Sequence, residues 1–189
     1  MVAIQTRAIT DDERKRLKKY AFPNPLSGWL SDKLASSPKS IPATRREYRR
    51  DYERGVVEAL EIEAVAFGTG EEWNDEGPIY FIDLGENKIL WLCGQWLFDP
   101  TVVDKRILDL TDTEENSWPK RFTVERALES GLVFRIFGGS EELIRSTNLV
   151  QHKDIYYLGD SRVFEGTFLS LESDLARAAE NFHSWASKQ

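Results

Sequence analysis

The chain has one cysteine, Cys93, and two histidines, His152 and His183, in 189 residues. A single thiol excludes an internal disulfide and a multi-cysteine zinc site, and two imidazoles leave little for a histidine-based metal centre. No apolar run approaches the roughly 18 residues of a membrane-spanning helix. The opening Met1-Val2-Ala3-Ile4-Gln5-Thr6-Arg7 lacks the apolar core of a secretory leader. Internal repeats and low-complexity tracts are missing. So are the glycine-rich phosphate loop ending in Lys-Ser/Thr and the glycine-flanked serine of a nucleophile elbow. Gly68-Thr69-Gly70 begins a dinucleotide-like pattern, but Trp73 stands where the third glycine belongs. These absences predict a soluble, cytoplasmic protein with no cofactor, no metal and no membrane insertion.

What is present is ordinary globular composition, 41% apolar and 30% charged. A chain of this length buries roughly 70% of its unfolded surface, enough for one self-supporting domain over 1–189. Charge divides it unevenly. Residues 1–54 hold 13 Lys/Arg against 7 Asp/Glu, whereas 55–189 hold 12 against 25. A basic segment can dock on its own acidic body or reach an external anion.

Periodicity predicts an α+β fold, a mainly antiparallel sheet flanked by N-terminal helices and a C-terminal helix. Residues 1–57 read as a basic helical segment, 58–168 as a β-rich core and 169–189 as the last helix. Thr10-Asp11-Asp12-Glu13 and Thr44-Arg45-Arg46-Glu47 are capping-box signatures. The first helix should end near Tyr20, before Pro23 and Pro25. Leu26, Trp29, Leu30 and Leu34 suggest a short amphipathic turn, and Tyr48, Tyr52 and Val56 a packing stripe on the second helix. From Glu58 to Phe67 the period is two, a single half-buried strand. A loop over 68–77 should follow, then strands 78–84 and 89–98 joined by Gly85-Glu86-Asn87-Lys88. Ile89–Cys93 is apolar on both faces and belongs inside the sheet. Residues 99–118 read as a long surface loop, and further strands are expected at 122–126, 132–137, 155–158 and 163–168. Leu171 to Ala186 has a helical apolar face with Ser170 as N-cap.

Few residues suggest chemistry. Cys93 sits in the most apolar strand, where a thiol behaves as a small hydrophobe. Neither histidine falls in a metal or catalytic spacing. The acidic stretches Glu71–Glu76 and Asp112–Glu115 lack calcium-loop spacing and read as solvated loops. Arg46, Arg50 and Arg54 stack at i, i+4, i+8 and form a candidate anion contact, although Glu47, Asp51 and Glu53 offer local helix-surface pairing. Nucleic acid is disfavoured as a partner because the remainder of the chain is acidic. Trp73, Asp75, Gln95 and Trp96 form a candidate recess, with Gly94 permitting a bulge that a buried Gln95 would pin.

Three segments in order carry a resemblance: Asn74-Asp75-Glu76-Gly77-Pro78, then Tyr80-Phe81-Ile82-Asp83-Leu84-Gly85, then Leu92-Cys93-Gly94-Gln95-Trp96-Leu97-Phe98. The chain over 58–140 resembles a bacterial β-rich domain family of unassigned function with an acidic Asp-Gly-Pro turn and a Gly-Gln-aromatic-Leu strand. The first segment has Asn74-Asp75 where that family would place two carboxylates. The resemblance implies a shared β-rich domain and no activity. The reading that follows is a non-catalytic interaction or regulatory module with a protein partner, six tryptophans supplying potential anchors. The alternatives are a metal-dependent or carboxylate-based hydrolase and, third, an anion or nucleic-acid contact through the arginine helix. Oligomeric state is left open.

Overall fold

The computed structural model describes residues 2–22, 45–70, 77–111, 117–150, 160–171 and 173–178. Among these residues ten strands form two sheets, β1 Val2–Ala8, β2 Val56–Glu63, β3 Ala66–Gly70, β4 Ile79–Gly85, β5 Lys88–Cys93, β6 Ser117–Pro119, β7 Arg121–Ala127, β8 Val133–Phe137, β9 Leu143–Val150 and β10 Ser161–Glu165. The first sheet runs β1-β2-β7-β8 and the second β10-β5-β4-β3-β9-β6. Every named pairing is antiparallel except β3 with β9. Helices α1 Asp11–Ala21 and α2 Arg45–Arg54 lie between β1 and β2 in sequence, α3 Lys105–Thr111 between β5 and β6, and residues 171 and 173–178 form a C-terminal helix. The fold is α+β with antiparallel sheets. No described helix is long and apolar enough to cross a membrane.

Alternation of side chains sorts the apolar residues into layers. Leu60, Ile62, Phe122, Val124 and Ile136 of the first sheet meet Phe67, Tyr80, Ile82, Leu90 and Leu92 of the second. The opposite face of the second sheet carries Phe81, Ile89, Trp91 and Cys93, which pack on Leu171, Leu175 and Ala178 of the C-terminal helix. The outer face of the first sheet packs Val57, Ala127 and Phe134 on Leu17 of α1, with Tyr48 and Tyr52 of α2 alongside. This explains why β5 is apolar on both faces: it is buried between two layers, with β10 and β4 on its flanks.

Local signals hold at several places. Thr10 and Glu13 exchange both capping-box bonds, at 3.4 and 2.8 Å. Glu86 and Asn87 adopt φ of 54° and 56°, the left-handed pair that a two-residue hairpin turn needs to match strand twist. Ser170 stands at the start of the C-terminal helix as expected, its carbonyl accepting the Asp174 amide at 2.9 Å, and its hydroxyl donates to Asp174 Oδ2 at 2.5 Å. The same oxygen accepts the Thr167 amide at 3.1 Å. The Ser170 hydroxyl, against the opposing effect of burial and with help from Thr167 and Arg177, holds the Asp174 carboxyl below the usual range.

Five expectations are corrected. The first segment is not wholly helical, because Val2–Ala8 pairs with β2 over the full register Val2↔Ile62 to Ala8↔Val56. The strand expected over 58–67 is two strands in different sheets. Ala64 N donates to Lys120 O and Val65 N to Asp83 O, each at 2.8 Å, so the chain crosses between sheets there. The expected loop from Gly68 instead begins as strand, since Gly68, Thr69 and Gly70 end β3. Residues 99–111 are not a surface loop. Asp99 receives the amide and hydroxyl of Thr101 at 2.8 and 2.6 Å, Asp104 receives the Arg106 amide at 3.0 Å, and α3 follows with Ile107 fully buried. The strand expected to run to Phe98 stops at Cys93, and Gln95–Phe98 is a single 3-10 turn. Strand expectations at 155–158, the turn around Leu26–Leu34, both histidines and both acidic stretches lie outside the described residues.

Cys93 is fully buried, as its strand predicts. We expect native protein to resist a thiol reagent at neutral pH and to take up one equivalent after unfolding, followed by absorbance of the released chromophore. Stoichiometric labelling of native protein would contradict this burial.

Candidate functional site

Of the candidate recess, Gln95 and Trp96 fall within the described residues. Trp73 and Asp75 lie outside the described residues. Gln95 is exposed at the start of the 3-10 turn, and the Trp96 indole N–H donates to Cys93 O at 2.9 Å. Gly94 makes this possible, since at its φ of 141° an added Cβ would sit 2.4 Å from the indole nitrogen. The Trp96 indole therefore locks the turn to the end of β5. Of the other tryptophans, Trp91 and Trp118 are buried, and Trp29 and Trp185 fall outside the described residues.

The arginine helix is seated by its acids. Glu47 and Asp51, expected to pair along the helix surface, are 5% and 1% exposed. Asp51 accepts the amides of Glu129 and Ser130 at 3.0 and 2.8 Å and the Ser130 hydroxyl at 2.7 Å, so one carboxylate holds the β7–β8 turn. Glu47 pairs with Arg162 of β10 at 3.5 Å, and Arg162 donates to Glu129 O at 2.6 Å. Burial draws the Arg162 guanidinium below its usual range while Glu47 opposes that effect. Around this junction basic side chains serve as donors to main-chain carbonyls: Arg14 to Tyr52, Arg16 to Val133, Arg49 to Ala21.

Of the three candidate anion contacts, Arg54 reaches Glu129 at 3.0 Å and Arg50 approaches it at 3.8 Å, while Arg46 is exposed. Changing all three to glutamine should lower stability by about 1 kcal/mol or less, because exposed pairs are screened and hold long side chains in place. Thermal melts at low and high salt check this, the difference shrinking as salt rises. An unchanged melt together with DNA binding by wild type alone would assign the stripe to an external anion.

Two clefts flank the loop at 138–141. One, of about 470 Å³, is lined by Glu61, Glu63, Arg121, Thr123 and Ser140 on the outer face of the first sheet. The other, of about 490 Å³, lies between Ile107, Pro119 and Leu143. Neither includes Gln95 or Trp96. Among the described residues no group of His, Cys, Asp and Glu could hold a metal ion.

The feature that sequence reasoning missed is the edge of the first sheet. Among the described residues β1 pairs with β2 on one side only and ends the sheet order. Ile9 N donates to Gly55 O at 3.0 Å, so odd-numbered residues bond inward and the main-chain groups of Val2, Ile4 and Thr6 point outward. The opposite edge is covered. Ile136 of β8 donates to Val102 O at 2.7 Å and accepts from Asp104 N at 2.9 Å, closing that strand with the segment before α3. β1 has none of the usual edge guards, being seven residues long without proline, lysine or bulge. Its one charge, Arg7, is held by Glu13 and Glu125 at 2.6 and 2.7 Å. Ile4 is 62% exposed at its middle. The alternation Val2, Ile4, Thr6, Ala8 was the signal available in the sequence.

No protein-family model, curated protein or solved structure matches the chain.

Proposed function

We propose that this protein is a non-catalytic, cytoplasmic interaction module that takes up a partner strand along β1. The observation that carries the reading is the contrast between the two ends of the first sheet: residues 102–104 cover the β8 edge, whereas among the described residues nothing pairs with the regular β1 edge. An edge of this kind supplies affinity through main-chain bonds and selectivity through alternate side chains. Leaving it open carries an aggregation hazard, which supports a partner as the reason for keeping it.

A photo-crosslinking residue placed at Ile4 of the full chain tests this in the producing cells. The expected result is a discrete adduct that disappears when Thr6→Pro removes an outward N–H. Absence of any adduct from Ile4, with a folded protein, would overturn the reading.

A further inference from the structure

We propose that the strand taken up by β1 is β1 of a second copy of this chain, antiparallel and related by a twofold axis at Ile4. The inference rests on the reading of β1 as the docking edge and names its occupant. Outward-bonding residues must face outward-bonding residues, so Val2, Ile4 and Thr6 can meet only their even-numbered counterparts. With Ile4 on the axis, Ile4 faces Ile4 of the second copy and Val2 faces Thr6 of the second copy. The three pairs exchange about six main-chain hydrogen bonds.

The side chains favour this register. Val2 and Ile4 lie opposite Ile62 and Leu60, on the sheet face that lines the main core, and Val2 already packs against that core. Ile4 shares this face but is exposed, because among the described residues no strand lies beyond it. A second β1 would place two isoleucines side by side and extend the apolar layer from one copy into the other. On the other face Ala3 would oppose Gln5 of the second copy, a small residue against an uncharged one.

Charge also selects a copy over a charged peptide. The paired stretch, residues 2–6, has no ionisable side chain, and Arg7 lies beyond it, neutralised by Glu13 and Glu125. A neutral strand offers nothing to steer an acidic or basic segment. Each chain has a net charge of −7, so two copies repel at long range and their association should strengthen, not weaken, as salt is added.

Sedimentation equilibrium of the purified full chain decides the matter. Wild type should sediment as a dimer, more completely at higher salt. Ile4→Lys, which sets two ammonium groups together at the axis, and Thr6→Pro, which deletes an outward N–H without touching the bonds to β2, should each weaken self-association about a hundredfold or more. Circular dichroism establishes that each variant is folded. If Thr6→Pro does not fold, Ile4→Lys decides alone, since its side chain is already exposed. A wild-type monomer at every attainable concentration, or a dimer that persists in a folded variant, overturns the inference. A monomer whose Ile4 crosslinks to a different chain overturns the second copy as occupant and leaves β1 as the docking edge. A dimer that survives both variants places self-association on another surface.

Discussion

Asp51→Ala is expected to lower the free energy of unfolding by about 3–5 kcal/mol, a large share of what a domain of this size possesses. The carboxylate is 1% exposed and takes three hydrogen bonds from the β7–β8 turn. Truncation leaves two buried amides and a hydroxyl without their acceptor, each costing about 1–3 kcal/mol in the absence of a substitute. Water entering the vacated volume reduces the sum but cannot reproduce three converging bonds. The melting midpoint should fall by about 10 °C, given roughly 2–4 °C per kcal/mol for a chain of this length. Asp51→Asn keeps one carbonyl oxygen and should lose about half as much. Urea unfolding at neutral pH measures both, and a loss below about 1 kcal/mol in the alanine variant would show that the turn holds itself.

Gly131→Ala should be at least as damaging, for a different reason. Gly131 has φ of 72°, and a Cβ built there would lie 2.2 Å from Ser161 O. The obstacle is the main chain of β10, which cannot rotate aside as a side chain would. Either β10 moves off the turn or the turn gives up its left-handed residue, and both break the bond from Ser161 Oγ to Gly131 O at 2.7 Å. The expected loss is about 4 kcal/mol or more, combining left-handed strain of about 1–2 kcal/mol with the displaced contact. Gly138→Ala separates the two effects. Its φ is 86°, but its nearest neighbour would be Phe122 Cα at 4.0 Å, so it should lose only the strain. Equal losses in the two variants would remove the contact from the explanation.

The elements legible in the sequence are those whose causes are local. The capping box at Thr10 and Glu13, the hairpin through Glu86 and Asn87, the doubly apolar β5 and the apolar face from Leu171 all read directly, because their partners lie within a few residues or their pattern reflects burial. Elements set by distant partners did not. Nothing near Glu47 and Asp51 indicates that they face inward, since Arg162 and Ser130 are supplied by strands and turns far along the chain. Alternation runs unbroken from Leu60 through Ala66, yet the sheet changes at 64–65 because Lys120 and Asp83 claim those amides. α3 is seven residues long, too short for its period to show. Of the candidate site, Gln95 and Trp96 marked a real backbone feature, the 3-10 turn, while Trp73 and Asp75 lie outside the described residues. The docking edge could be seen only once β1 was placed at the end of a sheet, because a strand's free side belongs to topology.

The insertion of β3 to β6 between β2 and β7 has a consequence for how the chain folds. β2 meets β7 with Val57 opposite Ala127, and β3 to β6 lie in the intervening stretch. Closing that span costs about 4 kcal/mol of chain entropy before any ladder bond repays it, by the logarithmic dependence on loop length. The β4–β5 hairpin closes over a handful of residues and can form in microseconds. High contact order therefore falls on β2–β7 and equally on β3–β9 and β5–β10 of the second sheet, and these pairings should appear late in refolding, after the β4–β5 and β7–β8 hairpins. The β1 edge completes only when β2 is in place, so nascent chains would spend the least time exposing it to one another.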